Sequence, residues 1–342
     1  MRIGLTVSSL LLLSALPGSA QDRALPVIDM HVHAFPANDQ GPPPVAMCVG
    51  GVLAPAHDPA GSWTDVWVGM INDPPCRDPI WSPGSDAELL ARMIEVLDRN
   101  NVIAVTSGPP DILSRWLEAA PERILAAHRF NLGRDVGISP DSLRRALATG
   151  RYVALAEVTN QYVGIAPDDP AFEPYLEVAE ELDIPVGIHI GTGPPGAPYL
   201  AFPEYRARLH SPLTLEEALV RHPRLRVWIM HAGWPMLDDL LAVLWTHPQV
   251  YVDLGVIIFA LPRAELRYLQ VIVEAGFGSR VMFGSDQMVW PETIEYGIRT
   301  IEDAPFLSEE QKRDILYNNA ARFLRLSEAD RARHSRQGSQ TR

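Results

Sequence analysis

Two histidines near the start of the chain have the spacing of a metal-binding pair. They lie in Asp29-Met30-His31-Val32-His33, at the end of an apolar run. Side chains alternate between the two faces of a β-strand, so a strand here would point His31 and His33 the same way, about 7 Å apart along the chain. Two imidazoles so placed can bind one borderline-soft cation such as Zn²⁺, and Asp29, on the same face, could orient one of them.

Further side chains that can bind a metal come at the ends of later apolar runs. Each alone has an ordinary alternative role: a strand-end histidine is often only hydrogen-bonded, a glutamate can pair with an arginine, and an aspartate can cap a helix. In a barrel of parallel strands, however, all carboxyl ends meet on one rim, where the active sites of such barrels lie. The set therefore predicts a metal centre on that rim. Its six candidate ligands are His31, His33, Glu157, His189, His231 and Asp286.

Apolar, β-rich runs alternate with helical patterns along the chain, which favours a single-domain (β/α)8 barrel of the TIM type. Most runs are continuous rather than alternating, as expected for parallel strands buried on both faces. A doubly wound open sheet is the main alternative. The predicted strands are 27–35, 102–107, 124–132, 152–159, 185–191, 226–233, 250–255 and 281–286. Capping residues and first-turn prolines predict helices over 85–100, 170–182, 214–221, 235–245, 262–275, 291–302 and 308–326.

The first 20 residues have the pattern of a secretory signal peptide. A positive charge at Arg2 precedes an apolar run, and small residues at 18–20 precede Gln21. This pattern predicts export to the periplasm or the medium, with an apolar leader on a cytoplasmic enzyme as the alternative. We expect one domain over 21–330 and a disordered polar tail over 331–342. No other segment is typical of a membrane span.

The segment 36–83, a long loop after the first strand, interrupts the alternation of predicted strands and helices. It is dense in Pro and Gly, and loops of such length are often lids or binding elements. Its tryptophans at 63, 67 and 81 favour packing over disorder. It also holds Cys48 and Cys76, the two cysteines of the chain, which suggest a disulfide if the compartment is oxidising; two free thiols are the alternative.

The net charge of the chain limits the classes of molecule that it can bind. The 342-residue chain has a formal net charge of −13, which argues against binding to the phosphate backbone of nucleic acids. We therefore expect a small-molecule substrate, no nucleic-acid partner, and no membrane association once the signal is removed. A homodimer is possible by analogy alone.

The motifs resemble the amidohydrolase superfamily, and most closely the amidohydrolase-related branch that holds aminocarboxymuconate-semialdehyde decarboxylase, aromatic-acid decarboxylases and lactone hydrolases. The resemblance covers nearly the whole mature chain and is more specific for fold and metal than for substrate. The matching pieces are 29–33, His189, 222–226 with 231–233, 247–253, 283–286 and 318–323.

The resemblance implies a ligand set. His31, His33, His189 and Asp286 would hold one divalent cation, usually zinc. His231 would help to activate water or polarise the substrate, and Asp286 would shuttle the proton, so these two are the predicted catalytic residues.

The number of metal ions stays open because the fourth predicted strand carries a glutamate and no lysine. Several binuclear branches bridge two metals with a carboxylated lysine on the fourth strand, but the single lysine here, Lys312, lies in the last predicted helix. Glu157 occupies the fourth strand, as the bridging glutamate of the TatD-like branch does. A second metal on Glu157, His189 and His231 is therefore the alternative to a single metal, which the rest of the sequence favours.

The leading functional hypothesis is a metal-dependent hydrolase of an ester, lactone or amide. A non-oxidative decarboxylase of an aromatic or unsaturated acid is the runner-up, with a phosphoesterase and a binding protein without turnover behind it. Hydrolysis is preferred because Glu157 has no evident role in a mononuclear decarboxylase. Residues that could contact substrate are Arg129, Asn160, Tyr162 and Trp234, followed by His128, Gln161, Tyr199 and Trp290.

Overall fold

The computed structural model describes residues 23, 25–51, 55–135 and 137–340. The predicted signal peptide, residues 1–20, lies outside the described residues.

Ten strands are present. They are β1 Val27–His33, β2 Ala46–Met47, β3 Ile80–Trp81, β4 Val102–Ser107, β5 Ile124–Phe130, β6 Ala154–Val158, β7 Val186–His189, β8 Val227–Met230, β9 Val250–Asp253 and β10 Val281–Met282. Eight of them form a parallel sheet in the order β1-β4-β5-β6-β7-β8-β9-β10. Backbone bonds from Met30 N to Phe283 O (2.9 Å) and from Asp286 N to His31 O (2.7 Å) join its two edges. The predicted barrel is thus confirmed, and the open-sheet alternative is wrong.

Helices cover the outside of the sheet. They are α1 Trp63–Asn72, α2 Asp86–Arg99, α3 Pro110–Ala119, α4 Pro140–Leu147, α5 Glu173–Glu181, α6 Glu216–Arg221, α7 Leu237–Thr246, α8 Ile257–Ala260, α9 Pro262–Ile272, α10 Thr293–Glu302, α11 Glu309–Arg313, α12 Asn319–Phe323 and α13 Glu328–Gln340. Within the described part of the chain, no helix is both long and apolar enough to cross a bilayer.

The structure departs from the predicted elements at identifiable places. Strands end two to four residues before several predicted ends, because the rim residues turn inward to the site. The sequence analysis did not delimit α1, α3, α4 or α8. The polar tail expected to be disordered from residue 331 is helical to Gln340, since His334 is buried and its Nδ1 lies 3.1 Å from the Tyr317 hydroxyl.

The segment after β1, here called the arm (residues 36–83), folds over the carboxyl end of the barrel. A disulfide between Cys48 and Cys76 joins its two halves, as the even cysteine count suggested. Trp63 is buried, whereas Trp81 is 41% exposed. Three hydrogen bonds fix the arm to loops after β7, β9 and β10: Trp63 Nε1 to Pro195 O, Gly50 N to Phe259 O, and Trp290 Nε1 to Val45 O.

The opposite end of the barrel is filled. Met30 and Trp228 inside the barrel pack with Tyr317 and Phe323. Arg226, which precedes β8, donates to the carbonyl of Phe323, which places this plug at the amino ends of the strands. A polar site inside the barrel must therefore open toward the carboxyl ends.

Candidate active site

The first pair of candidate ligands lies on β1. His31 and His33 are both buried, and their Nε2 atoms lie 3.2 Å apart, because the two rings converge and the pairing with β4 shifts register here. Asp29 does not contact either ring. Its Oδ1 accepts the backbone N–H groups of His31 (3.0 Å) and Ser285 (2.9 Å), so it fixes the strand backbone instead of the predicted imidazole.

A second group forms around Glu157 on β6. Glu157 Oε1 lies 2.7 Å from His189 Nδ1 and 3.3 Å from His231 Nε2. The two ring nitrogens are 2.9 Å from each other. Three strands, β6, β7 and β8, thus bring three donor atoms to one point.

Glu157 and Asp286 connect the two groups. The other oxygen of Glu157, Oε2, lies 3.5 Å from His33 Nε2, and Oε1 is also 3.7 Å from His31 Nε2, so this carboxylate contacts both groups. Asp286 Oδ1 lies 3.0 Å from His33 Nε2 and 3.6 Å from His31 Nε2. The structure therefore brings all six predicted ligands together.

The partners of the outer nitrogens bear on the tautomer of each ring: for His31 and His231 the partner can only accept, whereas for His33 and His189 it is a hydroxyl that can donate or accept. In a neutral imidazole one nitrogen carries the proton and the other a lone pair. When the outer nitrogen donates to an acceptor, the inner lone pair is free for a metal. The outer contacts are His31 Nδ1 with Asp253 Oδ2 (3.3 Å), His33 Nδ1 with Ser107 Oγ (3.2 Å), His189 Nε2 with the Tyr162 hydroxyl (3.4 Å) and His231 Nδ1 with Gly255 O (3.0 Å).

Electrostatics favour a cation in this cluster. Burial by itself would raise the pKa of Glu157, but the neighbouring histidines, His189 first among them, hold that pKa well below its usual value. Burial likewise opposes charge on His31, yet the carboxylates of Asp286 and Asp253 raise its pKa well above the usual value. Buried ionised carboxylates require a compensating positive charge.

The donor set fits a divalent metal. Ligands about 2.1 Å from a tetrahedral ion lie about 3.4 Å from each other, and the donor atoms here are 2.7–3.7 Å apart. Imidazole nitrogens with carboxylate oxygens are the ligands of zinc and similar first-row ions. Three overlapping triads of these six residues have donor atoms close enough to hold an ion.

The four predicted substrate residues take different positions. Tyr162 lies against His189, one of the candidate ligands, and Trp234 is half-buried beside the site. Arg129 is exposed at the end of β5. Its contact with Asp135 is long, 3.9 Å between the nitrogen and the carboxylate oxygen, so its guanidinium is available to solvent. Asn160 is buried, and its side-chain oxygen accepts Leu132 N at 2.7 Å, which gives it a contact within the fold.

The remaining candidates make contacts within the protein. His128 packs edge-on against Tyr152, and Tyr199 is exposed beside the arm. Gln161 donates to His189 O at 2.6 Å and so holds the backbone of a ligand. Gln287, which sequence analysis did not single out, clamps His33 in the same way through both its backbone groups. Its one sequence signal is its position directly after Asp286.

A family model described as amidohydrolase matches residues 28–326. No curated protein shows a significant match to the chain.

Solved structures share the fold at low sequence identity. A TIM-barrel protein from Bordetella bronchiseptica has a TM-score of 0.59 at 15% identity, covering 90% of this chain and all of that one. The 5-carboxyvanillate decarboxylase of Novosphingobium aromaticivorans, solved with manganese, has a TM-score of 0.55 at 14% identity over 91% of this chain and all of its own. A probable 2-pyrone-4,6-dicarboxylic acid hydrolase from Acinetobacter baumannii has a TM-score of 0.53 at 15% identity over 88% of this chain and all of its own.

The match over most of the chain agrees with the resemblance found in the motifs, and the solved structures share the barrel fold. The chain belongs to the amidohydrolase family.

Proposed function

We propose that this enzyme is a metal-dependent hydrolase that cleaves an ester, lactone or amide bond of a small organic substrate. The observation that carries the proposal is the position of Glu157. Glu157 lies between two groups of imidazole nitrogens: its Oε1 is 2.7 Å from His189 Nδ1 and 3.7 Å from His31 Nε2, and its Oε2 is 3.5 Å from His33 Nε2. A carboxylate so placed supports a pair of ions with one bridging ligand, which is an arrangement of hydrolytic two-metal sites.

The proposed centre would hold two divalent cations per chain, and its four imidazoles favour zinc. One would lie on His31, His33 and Asp286, the other on His189 and His231, with Glu157 between them. Such cations supply Lewis-acid chemistry when bound, because they polarise a carbonyl oxygen and increase the acidity of water.

The protein's own groups complete the reaction. Asp286 is buried at the rim and is 3.9 Å from His231 Nδ1, so its carboxylate is placed to accept a proton from the attacking water and return it to the leaving group. His231, held through Nδ1 by Gly255 O, presents Nε2 toward Glu157, where it would hold the second cation. The arm is hydrogen-bonded to the loops after β7 and β10, so it would shield that side of the rim from solvent water.

Decarboxylation is the second candidate because several solved neighbours carry that activity in their names. One experiment separates the two. The purified chain is stripped of metal, reloaded with zinc or manganese, and assayed for acid release from phenyl acetate and dihydrocoumarin and for carbon dioxide release from 2,6-dihydroxybenzoate. Metal-dependent acid release supports hydrolysis; carbon dioxide release alone would overturn it.

We also propose that the protein acts outside the cytoplasm. The Cys48–Cys76 disulfide supports an oxidising compartment. Mass spectrometry of the protein recovered from the periplasm or the medium of an expressing bacterium should give a mature chain that begins at Gln21. Recovery of the intact chain from the cytoplasm would contradict this proposal.

A further inference from the structure

Strand β9 reaches the rim without supplying a predicted ligand, yet its end contacts two of them. We propose that Asp253 is a positioning residue that holds His31 in the tautomer whose Nε2 faces the metal. This inference rests on the proposed metal centre and adds the residue that prepares it. Asp253 is fully buried, and its Oδ2 lies 3.3 Å from His31 Nδ1.

The carboxylate of Asp253 faces donors on every side. Oδ2 accepts Trp228 Nε1 at 3.1 Å in addition to facing His31. Oδ1 accepts the backbone N–H groups of His231 at 3.0 Å and Gly255 at 2.9 Å. Three hydrogen bonds and the His31 Nδ1 atom at 3.3 Å surround the two oxygens, so this position favours a carboxylate. An amide in its place would turn its NH₂ group toward one of these donors.

The same carboxylate is not itself a ligand. It faces Nδ1 of His31, the ring nitrogen opposite the one that points to His33 and Asp286. Among the described residues, the triads able to hold an ion do not include Asp253. Its contact is therefore of the carboxylate–histidine–metal type, in which the carboxylate fixes the ring and increases its basicity.

Two glycines make room for the pair. A Cβ at Gly255 would lie 2.5 Å from His31 Nδ1. A Cβ at Gly284 would lie 2.9 Å from Cβ and Cγ of Asp253 and 3.0 Å from Cβ of His31. The backbone on both sides thus leaves space for this contact and for little else. The Gly255 carbonyl in turn accepts His231 Nδ1, so the turn 253–255 orients two imidazoles.

The test compares Asp253→Asn with the matched variant Glu180→Gln, which changes a carboxylate that faces His222 at the other end of the barrel. Zinc affinity is measured on the full-length mature proteins by competition with a chromophoric chelator. We expect Asp253→Asn to bind zinc about 10- to 100-fold more weakly. Glu180→Gln should match the wild type. Equal affinity in wild type and Asp253→Asn would overturn the positioning role.

A second readout needs no metal. In metal-free protein labelled with ¹⁵N at histidine, at a pH high enough that His31 is neutral, the ring-nitrogen shifts report which nitrogen of His31 keeps its proton. We expect the proton on Nδ1 in the wild type and on Nε2 in Asp253→Asn, because the amide NH₂ no longer accepts from Nδ1. A His31 proton on Nε2 in the wild type would overturn the inference. A wild type that shows the Nδ1 tautomer but binds no zinc would instead refute the proposed function.

Discussion

Buried histidines lie at both ends of this barrel, but they face different partners. At the carboxyl ends, ring nitrogens face each other: His31 and His33 at 3.2 Å, and His189 and His231 at 2.9 Å. At the amino end, His222 is equally buried, and each of its nitrogens faces its own carboxylate, Glu180 at 3.3 Å and Glu173 at 3.0 Å.

The difference teaches that burial and residue type do not identify a metal ligand. Two lone pairs directed at each other repel, so each of these close nitrogen pairs needs a proton or a metal cation between its two nitrogens. The His222 arrangement needs no metal, because each ring nitrogen has a carboxylate oxygen within hydrogen-bond distance. Each of the following predictions tests whether the groups that face a buried histidine, rather than its burial, decide whether it binds metal.

The largest effect is expected from His189→Ala. Removal of one ring from the second group should abolish activity and release metal, since a neighbour of Glu157 and His231 is lost. Elemental mass spectrometry and a substrate assay measure both. A fully active variant would remove His189 from the metal centre.

Asp286→Asn should keep the metal-binding histidines and the fold but lose the proton acceptor. We expect turnover to fall by about 100- to 10,000-fold, the usual contribution of a general acid–base group, with a smaller change in KM. Steady-state kinetics with reloaded metal provide the measurement. A change confined to KM would show that Asp286 only positions the substrate.

The matched change at the amino end is His222→Ala. It removes the shared partner of Glu173 and Glu180, so we expect a loss of about 1–3 kcal/mol in the free energy of unfolding. Metal content and kcat should stay at wild-type values. Urea denaturation and the same substrate assay check this, and loss of metal in this variant would break the comparison.

A smaller, pH-dependent effect is expected at His334, also at the amino end. Burial lowers the pKa of this imidazole to about 4, whereas the unfolded value is near 6.5. The unfolded chain therefore takes up a proton first, so this contribution to stability is present above pH 6.5 and is lost as pH falls toward 4. Thermal unfolding of wild type and His334→Phe from pH 7 to 4 should show a shallower decline in the variant; parallel curves would exclude His334 as the cause.

The barrel could be predicted from the sequence because continuous apolar runs indicate parallel strands, and the ends of those strands indicate the rim. That is why six separated residues could be assigned to one site. The tail helix α13 was missed because its stability comes from a tertiary contact, His334 with Tyr317, which has no local signature.

The role of Asp253 was missed for a related reason. Its position at a strand end resembles that of Asp286, and only the direction of its carboxylate, toward Nδ1 of His31 instead of Nε2, separates the two. Asn160 is the opposite case. Its position after a strand suggested contact with substrate, but its side-chain oxygen accepts a hydrogen bond from Leu132 N. Ring orientation and backbone partners follow from three-dimensional packing, which spacing along the chain does not encode.

The most direct test of the account is metal content per chain in the wild type and in Glu157→Gln, with Glu180→Gln as the matched control. Each protein is reloaded with zinc, dialysed and measured by elemental mass spectrometry. The account predicts two ions per chain in the wild type and the control, and one or fewer in Glu157→Gln. A single ion in the wild type that Glu157→Gln retains would contradict the bridging role of Glu157 and the hydrolase proposal that depends on it.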